Sequence, residues 1–414
     1  MVMNVFKPML PLLAAVLVLV AGADGSEGEV VGWGSNSDGQ CSTPWPNSGF
    51  IAIAAGENHS LGLKTDGTIM SWGDNELGQC NVPMPNQNFI AVSAGRSHSL
   101  GLKANGSVIA WGFNEYGQCD VPEPNTGFVA VAAGEYHSLG LKADGSVVAW
   151  GRNQFGQCNV PEPNEDFVSI SAGVYHSMAI GTDSSLTTWG GNYWGECNVP
   201  EPNQGFTAVS GGWGHTLGLK ADGSVVAWGM NDLGQCNVPD SAPFVAISAS
   251  NSHSLGLTSE GVIAAWGAGG QGQSGYPHYG QSIVPEPNQG FGAIAAGWFH
   301  SLGLFVESTG TGSQHSSGLG CGGAAILLVS PNPSDASVTV VFSASGHGEA
   351  SLSVYDMAGR EVRMISLGEP AEGINTVAWD GRSNTGETLS PGVYLVRIRQ
   401  NGSGSKAERV VLLP

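Results

Sequence analysis

Between residues 127 and 164 the chain reads GFVAVAAGEYHSLGLKADGSVVAWGRNQFGQCNVPEPN. Its apolar positions fall in runs too short for helices, each bounded by turn-forming residues. FVAVAAG, HSLGLK and SVVAWG therefore predict strands. ADGS, between the second and third, predicts a tight hairpin in which Asp-Gly supplies positive φ. GQCNV predicts a short outer fourth strand, and PEPN a proline-stiffened crossing to the next unit. Four antiparallel strands in a meander make one propeller blade. No stretch of useful length carries a helical period.

The unit returns at a fixed interval. Trp33, Trp72, Trp111, Trp150, Trp189 and Trp228 stand 39 residues apart, and Trp266 follows after 38. Cys41, Cys80, Cys119, Cys158, Cys197 and Cys236 keep the same interval. His59, His98, His137, His176, His215, His253 and His300 form a third series. A period of this size means stacked or radial repeats. The first tryptophan has no histidine before it, and the last histidine has no tryptophan after it. GAIAAGWFHSLGL (292–304) thus supplies the inner strands of a blade whose outer strands come from EVVGWGSNSDGQCST (29–43). Closing one blade from both chain ends removes two open sheet edges. The expected fold is all-β, a seven-bladed β-propeller.

The pattern AAGxxHSLGLKxDGxVxAWGxNxxGQ covers about 280 residues and is similar to the regulator of chromosome condensation family. The resemblance implies seven blades closed by an N-terminal strand. It also implies a choice of function, because the family includes nuclear guanine-nucleotide exchange factors and secreted bacterial propellers, one type of which inhibits β-lactamases. The GQC-VPEPN ending resembles the bacterial branch.

After the propeller, ESTGTGSQHSSGLGCGG (307–323) reads as a Gly/Ser linker. ILLVSPNP, VTVVFSA, ASLSVYD, REVRMIS, NTVAWDG, GVYLVRIRQ and ERVVLLP follow. Short strands at this spacing predict an immunoglobulin-like β-sandwich. The run is similar to the immunoglobulin-like domain of flagellar hook-capping proteins and to C-terminal sorting domains of the type IX secretion system. The first resemblance implies a structural module, the second an export and surface-attachment signal. The expected divisions are 1–23, 24–306, 307–325 and 326–414.

Charge and address narrow the function. Lys7, the apolar run Leu10–Val20 and Ala21-Gly22-Ala23 read as a secretory signal peptide with its cleavage site. The apolar run is shorter than the roughly 20 residues of a membrane span, and no later segment could cross. A secreted or surface-attached location follows. Residues 24–306 hold 24 acidic and 6 basic residues, a balance that repels phosphate backbones and excludes nucleic acid as the expected partner. A monomer is expected.

The repeated side chains read as scaffold. On a seven-fold ring, equivalent points at a radius of roughly 12–15 Å lie ~10–13 Å apart. The histidines are then too far apart to share a metal, and hydrogen bonds to a neighbouring turn are their expected role. The cysteines, expected on the outermost strand, are too far apart for disulfides and read as packed free thiols. Cys321 stands alone in the linker. The chain has no HExxH, CxxC pair, phosphate-binding loop with lysine, or GxSxG. No enzyme, metal or cofactor is expected.

Variation between repeats marks the candidate site. In a meander the first and third turns share one face. The first, AGxxH, carries Tyr136, Tyr175, Trp213, Trp298 and Phe299, and the third, WGxNxxGQ, carries Phe113, Tyr116, Phe155, Tyr193 and Trp194. An insertion between Gly267 and Gly280 adds Tyr276, His278 and Tyr279 to this face. The opposite face, KADGS and VPEPN, reads as uniform and polar. Trp and Tyr in rigid loops anchor protein interfaces and also serve as sugar platforms. The expected function is non-catalytic binding of an extracellular protein, with a glycan or the cell wall as the alternative ligand and a lyase or hydrolase site hidden in the channel as the last alternative.

Overall fold

The computed structural model describes residues 28–240, 243–306, 325–330, 338–345, 348–356, 360–370, 372–390, 392–400, 403–404 and 408–412. The signal-peptide reading and Cys321 lie outside them.

Seven three-stranded antiparallel sheets form the seven blades. In blade 3 the inner, middle and outer strands are Phe128–Ala133, His137–Lys142 and Val147–Gly151. The middle strand is buried along almost its whole length because blades pack face to face. Leu139, Leu141 and Val147 form one core with Phe167, Ala179 and Trp189 of blade 4, so the apolar layers lie between blades. Gly140 is required in that middle strand, since a Cβ there would strike the Phe128 ring lying across it.

Blade 7 is built from both ends of the repeat region. Phe291–Ala296 and His300–Phe305 are its inner strands, and Glu29–Gly34 is its outer strand. Val31 pairs with Gly303 and Trp33 with Ser301. Trp33 Nε1 donates to Gln281 O at 2.9 Å, the bond every other blade tryptophan makes to the preceding repeat.

The expected fourth strand is absent: GQCNV is a turn. Its hydrogen bonds go to side chains rather than to a ladder. Gln118 is buried, and its carbonyl accepts from Ser138 Oγ and Trp150 Nε1 of the next blade, both at 2.9 Å. Asn125 meanwhile accepts from Val108 N at 2.8 Å and donates to Val108 O at 2.9 Å. That side chain covers the outer strand's edge, the task assigned to a fourth strand.

The second unit is a two-sheet sandwich. One sheet orders Ala325–Ser330, Val338–Ser345 and Glu372–Trp379; the other centres on Ala350–Asp356 and Gly392–Gln400. Glu361–Gly368 flanks one side of the second sheet and Glu408–Leu412 the other. All the strands read from the sequence are present, with a further two-residue strand at Ser403–Gly404. Phe342, Leu352, Val354, Trp379, Val396 and Ile398 fill the core. Among the described residues no helix is long and apolar enough to cross a membrane.

Candidate aromatic binding face

The first and third turns do meet, and they meet across blade boundaries. Tyr136, in the first turn of blade 3, packs on Phe113 and Tyr116 in the third turn of blade 2, with centroids 5.6 and 5.0 Å apart. Phe155 packs on Tyr175 at 4.9 Å and Tyr193 at 5.6 Å. Tyr193 continues to Trp194, which packs on Trp213 with centroids 4.9 Å apart and the rings tilted by 51°. Tyr276 and Tyr279 of the insertion both contact Phe299, which touches Trp298. His278 is used locally, its Nδ1 accepting from Gly269 N at 3.0 Å.

Every aromatic residue expected on this face therefore has a ring neighbour. They divide into two layers. Tyr116, Tyr193, Trp194, Tyr276 and Tyr279 are exposed, while Phe113, Tyr136, Phe155, Tyr175, Trp213, Trp298 and Phe299 are half-buried beneath or beside them. The half-buried rings cost little entropy to hold and fix the outer ones.

Two arginines tie the clusters together, a feature the sequence reading missed. The Arg96 guanidinium lies 5.4 Å from the Tyr136 ring and 4.9 Å from Trp298. Arg152 lies 5.2 Å from Tyr116, 5.6 Å from Tyr136 and 5.8 Å from Phe155. Both are held by Glu135, which is 5% exposed: Arg96 Nη1 donates to its Oε1 at 2.9 Å, and Arg152 Nη1 stands 3.9 Å from its Oε2. Arg96 Nε also donates to Glu57 Oε2 at 2.7 Å. Burial pushes the Glu135 carboxyl up from its ordinary value, and the Arg96 and Arg152 charges oppose that rise. The signal available in the sequence was that Arg96 and Arg152 are the two arginines of residues 24–306, both in turns of the aromatic face.

The histidines are scaffold, although their partner is a strand residue and not a turn. His98 Nε2 lies 3.0 Å from Ser138 Oγ in the next blade, and the contact recurs around the ring until His300 reaches Ser60. Ser138 spends its proton on Gln118 O. It must therefore accept from His98, which fixes the Nε2–H tautomer. Burial holds His98 down to about 3. The six repeat cysteines are free, and Cys119 Sγ donates to Phe113 O at 3.4 Å from a turn rather than an outer strand. Among the described residues no three His, Cys, Asp or Glu side chains gather as metal ligands.

The opposite face is less uniform than expected. Lys64, Lys103, Lys142 and Lys220 lie over Phe50, Phe89, Phe128 and Phe206 there. Lys142 Nζ also donates to Pro124 O at 3.0 Å. But Trp45 and Met84, in crossings where most repeats carry glutamate, are 91% and 84% exposed. They are apolar outliers on a polar surface.

Residues 50–79, 89–118, 128–157, 206–235 and 244–273 match the family model of the regulator of chromosome condensation (RCC1) repeat. These are RCC1-like repeats. Blade 4 falls outside the matched stretches yet builds the same sheet, with Met178-Ala179-Ile180 where other repeats have Leu-Gly-Leu. Residues 331–404 match the FlgD Ig-like domain. No curated protein matches the chain in sequence. Among solved structures, Prp20p from Saccharomyces cerevisiae, described with its binding to Gsp1p and histones, is similar at a TM-score of 0.59 and 19% identity, over 70% of this chain and 94% of that one. A chain of the Kap60 complex with yeast RCC1 (Prp20) gives 0.60 and 18%, over 75% and 96%. Human WBSCR16 gives 0.52 and 19%, over 68% and 99%. At these identities the likeness is one of fold: an RCC1-like propeller.

Proposed function

We propose that this protein is a secreted or cell-surface binding protein that engages a protein partner, without catalysis, through the aromatic face of its propeller. The observation that carries this reading is the two-layer arrangement. Exposed Tyr116, Tyr193, Trp194, Tyr276 and Tyr279 stand on half-buried rings braced by Arg96 and Arg152, and together they span several blades. Rigid, pre-positioned aromatic anchors lose little freedom on binding. Secretion rests on the N-terminal segment 1–23, and attachment at the cell surface on the C-terminal immunoglobulin-like domain acting as a sorting or anchoring module.

The test is a pull-down with the full mature chain beside a Tyr116→Ser/Tyr193→Ser/Tyr276→Ser variant. These three rings belong to the outer layer, so the variant keeps the supporting rings and its fold. A protein captured by the parent and lost by the variant supports the reading; equal capture by both overturns it. Tyr193, Trp194 and Trp213 also make a compact local platform, which favours a glycan as the second reading. Glycan binding lost on Tyr193→Ser alone would establish that alternative.

A further inference from the structure

On the face opposite the aromatic one, four blades seat an ammonium in the same way. In blade 3, Lys142 at the end of the middle strand reaches over the Phe128 ring, its Nζ 3.5 Å from the centroid. There it donates to Pro124 O and Thr126 O of the crossing that enters the blade. Lys64, Lys103 and Lys220 make the same three contacts in blades 1, 2 and 5. Each is a primary ammonium on an aromatic ring between two backbone carbonyls, favoured by hydrogen bonding and by the ring quadrupole together.

Blade 4 keeps the seat and lacks the lysine. Its middle strand ends in Gly181 where that of blade 3 ends in Lys142. The backbone around the seat is preserved. Gly181 N donates to Ser185 O as Lys142 N does to Ser146 O, and Thr182 N donates to Asp166 O as Ala143 N does to Gly127 O. Asp166 holds φ at 62°, in the region that Gly127 occupies at 72°. The Thr126 N to Pro124 O bond has no counterpart in blade 4, nor in blade 1, where Lys64 is seated all the same. Pro163 O and Glu165 O thus stand in the places of Pro124 O and Thr126 O, and among the described residues nothing donates to them. Both residues are exposed, and the Phe167 ring beside them is 6% exposed against 2% for Phe128 under its lysine. Blade 7 also lacks the lysine, but there the Phe305 ring fills the place against Phe291, with centroids 6.0 Å apart.

The charge of the crossing points the same way. Glu165 and Asp166 stand where blade 3 has Thr126 and Gly127, so the crossing that faces Gly181 gains two carboxylates. A metal ion would need oxygens on all sides, whereas one side of this seat is a ring. We propose that the blade 4 seat binds a primary alkylammonium group supplied from outside the chain, its N–H groups on Pro163 O and Glu165 O and its charge over Phe167. The carbonyl pair selects a primary amine over a quaternary one, which has no N–H to give. The site lies on the face away from the aromatic rings and stands independently of the partner proposed for them.

The full mature chain is titrated at constant ionic strength with n-butylammonium, which is the lysine side chain itself, and with n-butanol and tetramethylammonium. The readout is the backbone amide resonances of Asp166 and Phe167. Butylammonium is expected to shift both saturably in the millimolar range, and the two controls to bind at least fivefold more weakly. Gly181→Lys supplies the ammonium from within and is expected to weaken butylammonium at least tenfold. A Cβ there meets first the tip of the Asp183 side chain, at 2.9 Å, which can turn aside. Thr182→Lys adds the same charge one residue along and is expected to stay within twofold of the parent. Should Gly181→Lys not fold, Lys142→Gly decides: it makes a second such seat in blade 3, and butylammonium is expected to shift the Gly127 amide in that variant and not in the parent. Parent-like binding by folded Gly181→Lys, equal weakening by Gly181→Lys and Thr182→Lys, or equal binding of butylammonium and butanol overturns the site. Nα-acetyl-lysine amide binding more tightly than putrescine assigns the ammonium to a protein lysine, and the reverse order assigns it to a free amine.

Discussion

Ser250 Oγ lies 2.7 Å from Nδ1 of His253, in the turn where the other six blades carry glycine. In those six the histidine Nδ1, the acceptor nitrogen of a ring that donates from Nε2, is buried without a partner, because glycine brings no hydroxyl to it. Blade 6 alone satisfies both ring nitrogens. Ser250→Gly should therefore leave His253 like its six counterparts and lower stability by about 1–2 kcal/mol. Urea unfolding of the two proteins checks this, and an unchanged midpoint would show that the 2.7 Å contact contributes nothing.

The histidine ring makes the propeller acid-sensitive. Burial holds His98, His137, His215, His253 and His300 down to about 3, and His59 and His176 to about 4. In the unfolded chain each titrates near ~6.5. Between those values the unfolded state binds more protons, so stability is fully present above about pH 6.5 and is lost as pH falls toward the folded values. Urea midpoints measured from pH 7.5 to 4.5 should fall steeply, with several protons taken up per unfolding event. A flat profile down to pH 5 would contradict the neutral ring.

The repeat cysteines should be unreactive in the folded protein. Burial pushes Cys80, Cys158 and Cys236 up to about 11 and Cys41, Cys119 and Cys197 to about 12. At pH 8 their thiolate fraction is roughly 100-fold or more below that of a free cysteine. Iodoacetamide labelling followed by peptide mass spectrometry should show the six thiols protected natively and labelled in urea. Rapid native labelling at any of them would falsify the packed-thiol assignment at that blade.

Trp33 is the lock of the ring. It is buried against Leu255, Leu257 and Phe291 and bonded to Gln281 O, joining the N-terminal strand to blade 6. Trp33→Ala should cost about 3–5 kcal/mol. Thermal unfolding should show the loss as a midpoint drop of many degrees. A drop of a degree or two would mean that blade 7 holds without this strand.

Trp45 should matter to contacts and not to folding. At 91% exposure it has almost no surface to lose. Trp45→Ala is expected to change stability by less than about 0.5 kcal/mol. A larger loss in the same melting assay would reveal packing on the crossing face.

Much of this was legible in the chain. The offset between the first tryptophan and the last histidine predicted the closed blade, because an unpaired half-blade cannot bury its apolar side alone. Turn order predicted which loops share a face, and the aromatic residues assigned there do touch. The fourth strand was misread because GQCNV has strand-like spacing, while Asn125 and its equivalents supply the edge hydrogen bonds from side chains. Trp45 was hidden by its position in a crossing that most repeats fill with glutamate. Glu135, Arg96 and Arg152 escaped because they sit in different repeats, and no motif in one unit shows a contact made between units.

The sequence by itself determined the repeat, the number of blades, the closure and the two-unit organisation. Each follows from local strand and turn chemistry repeated at a constant interval. The tertiary structure alone decided which aromatic rings support and which are exposed, and how two arginines come to share one buried carboxylate. Those properties arise where neighbouring blades converge, and convergence depends on the angle between blades rather than on the residues of any one of them.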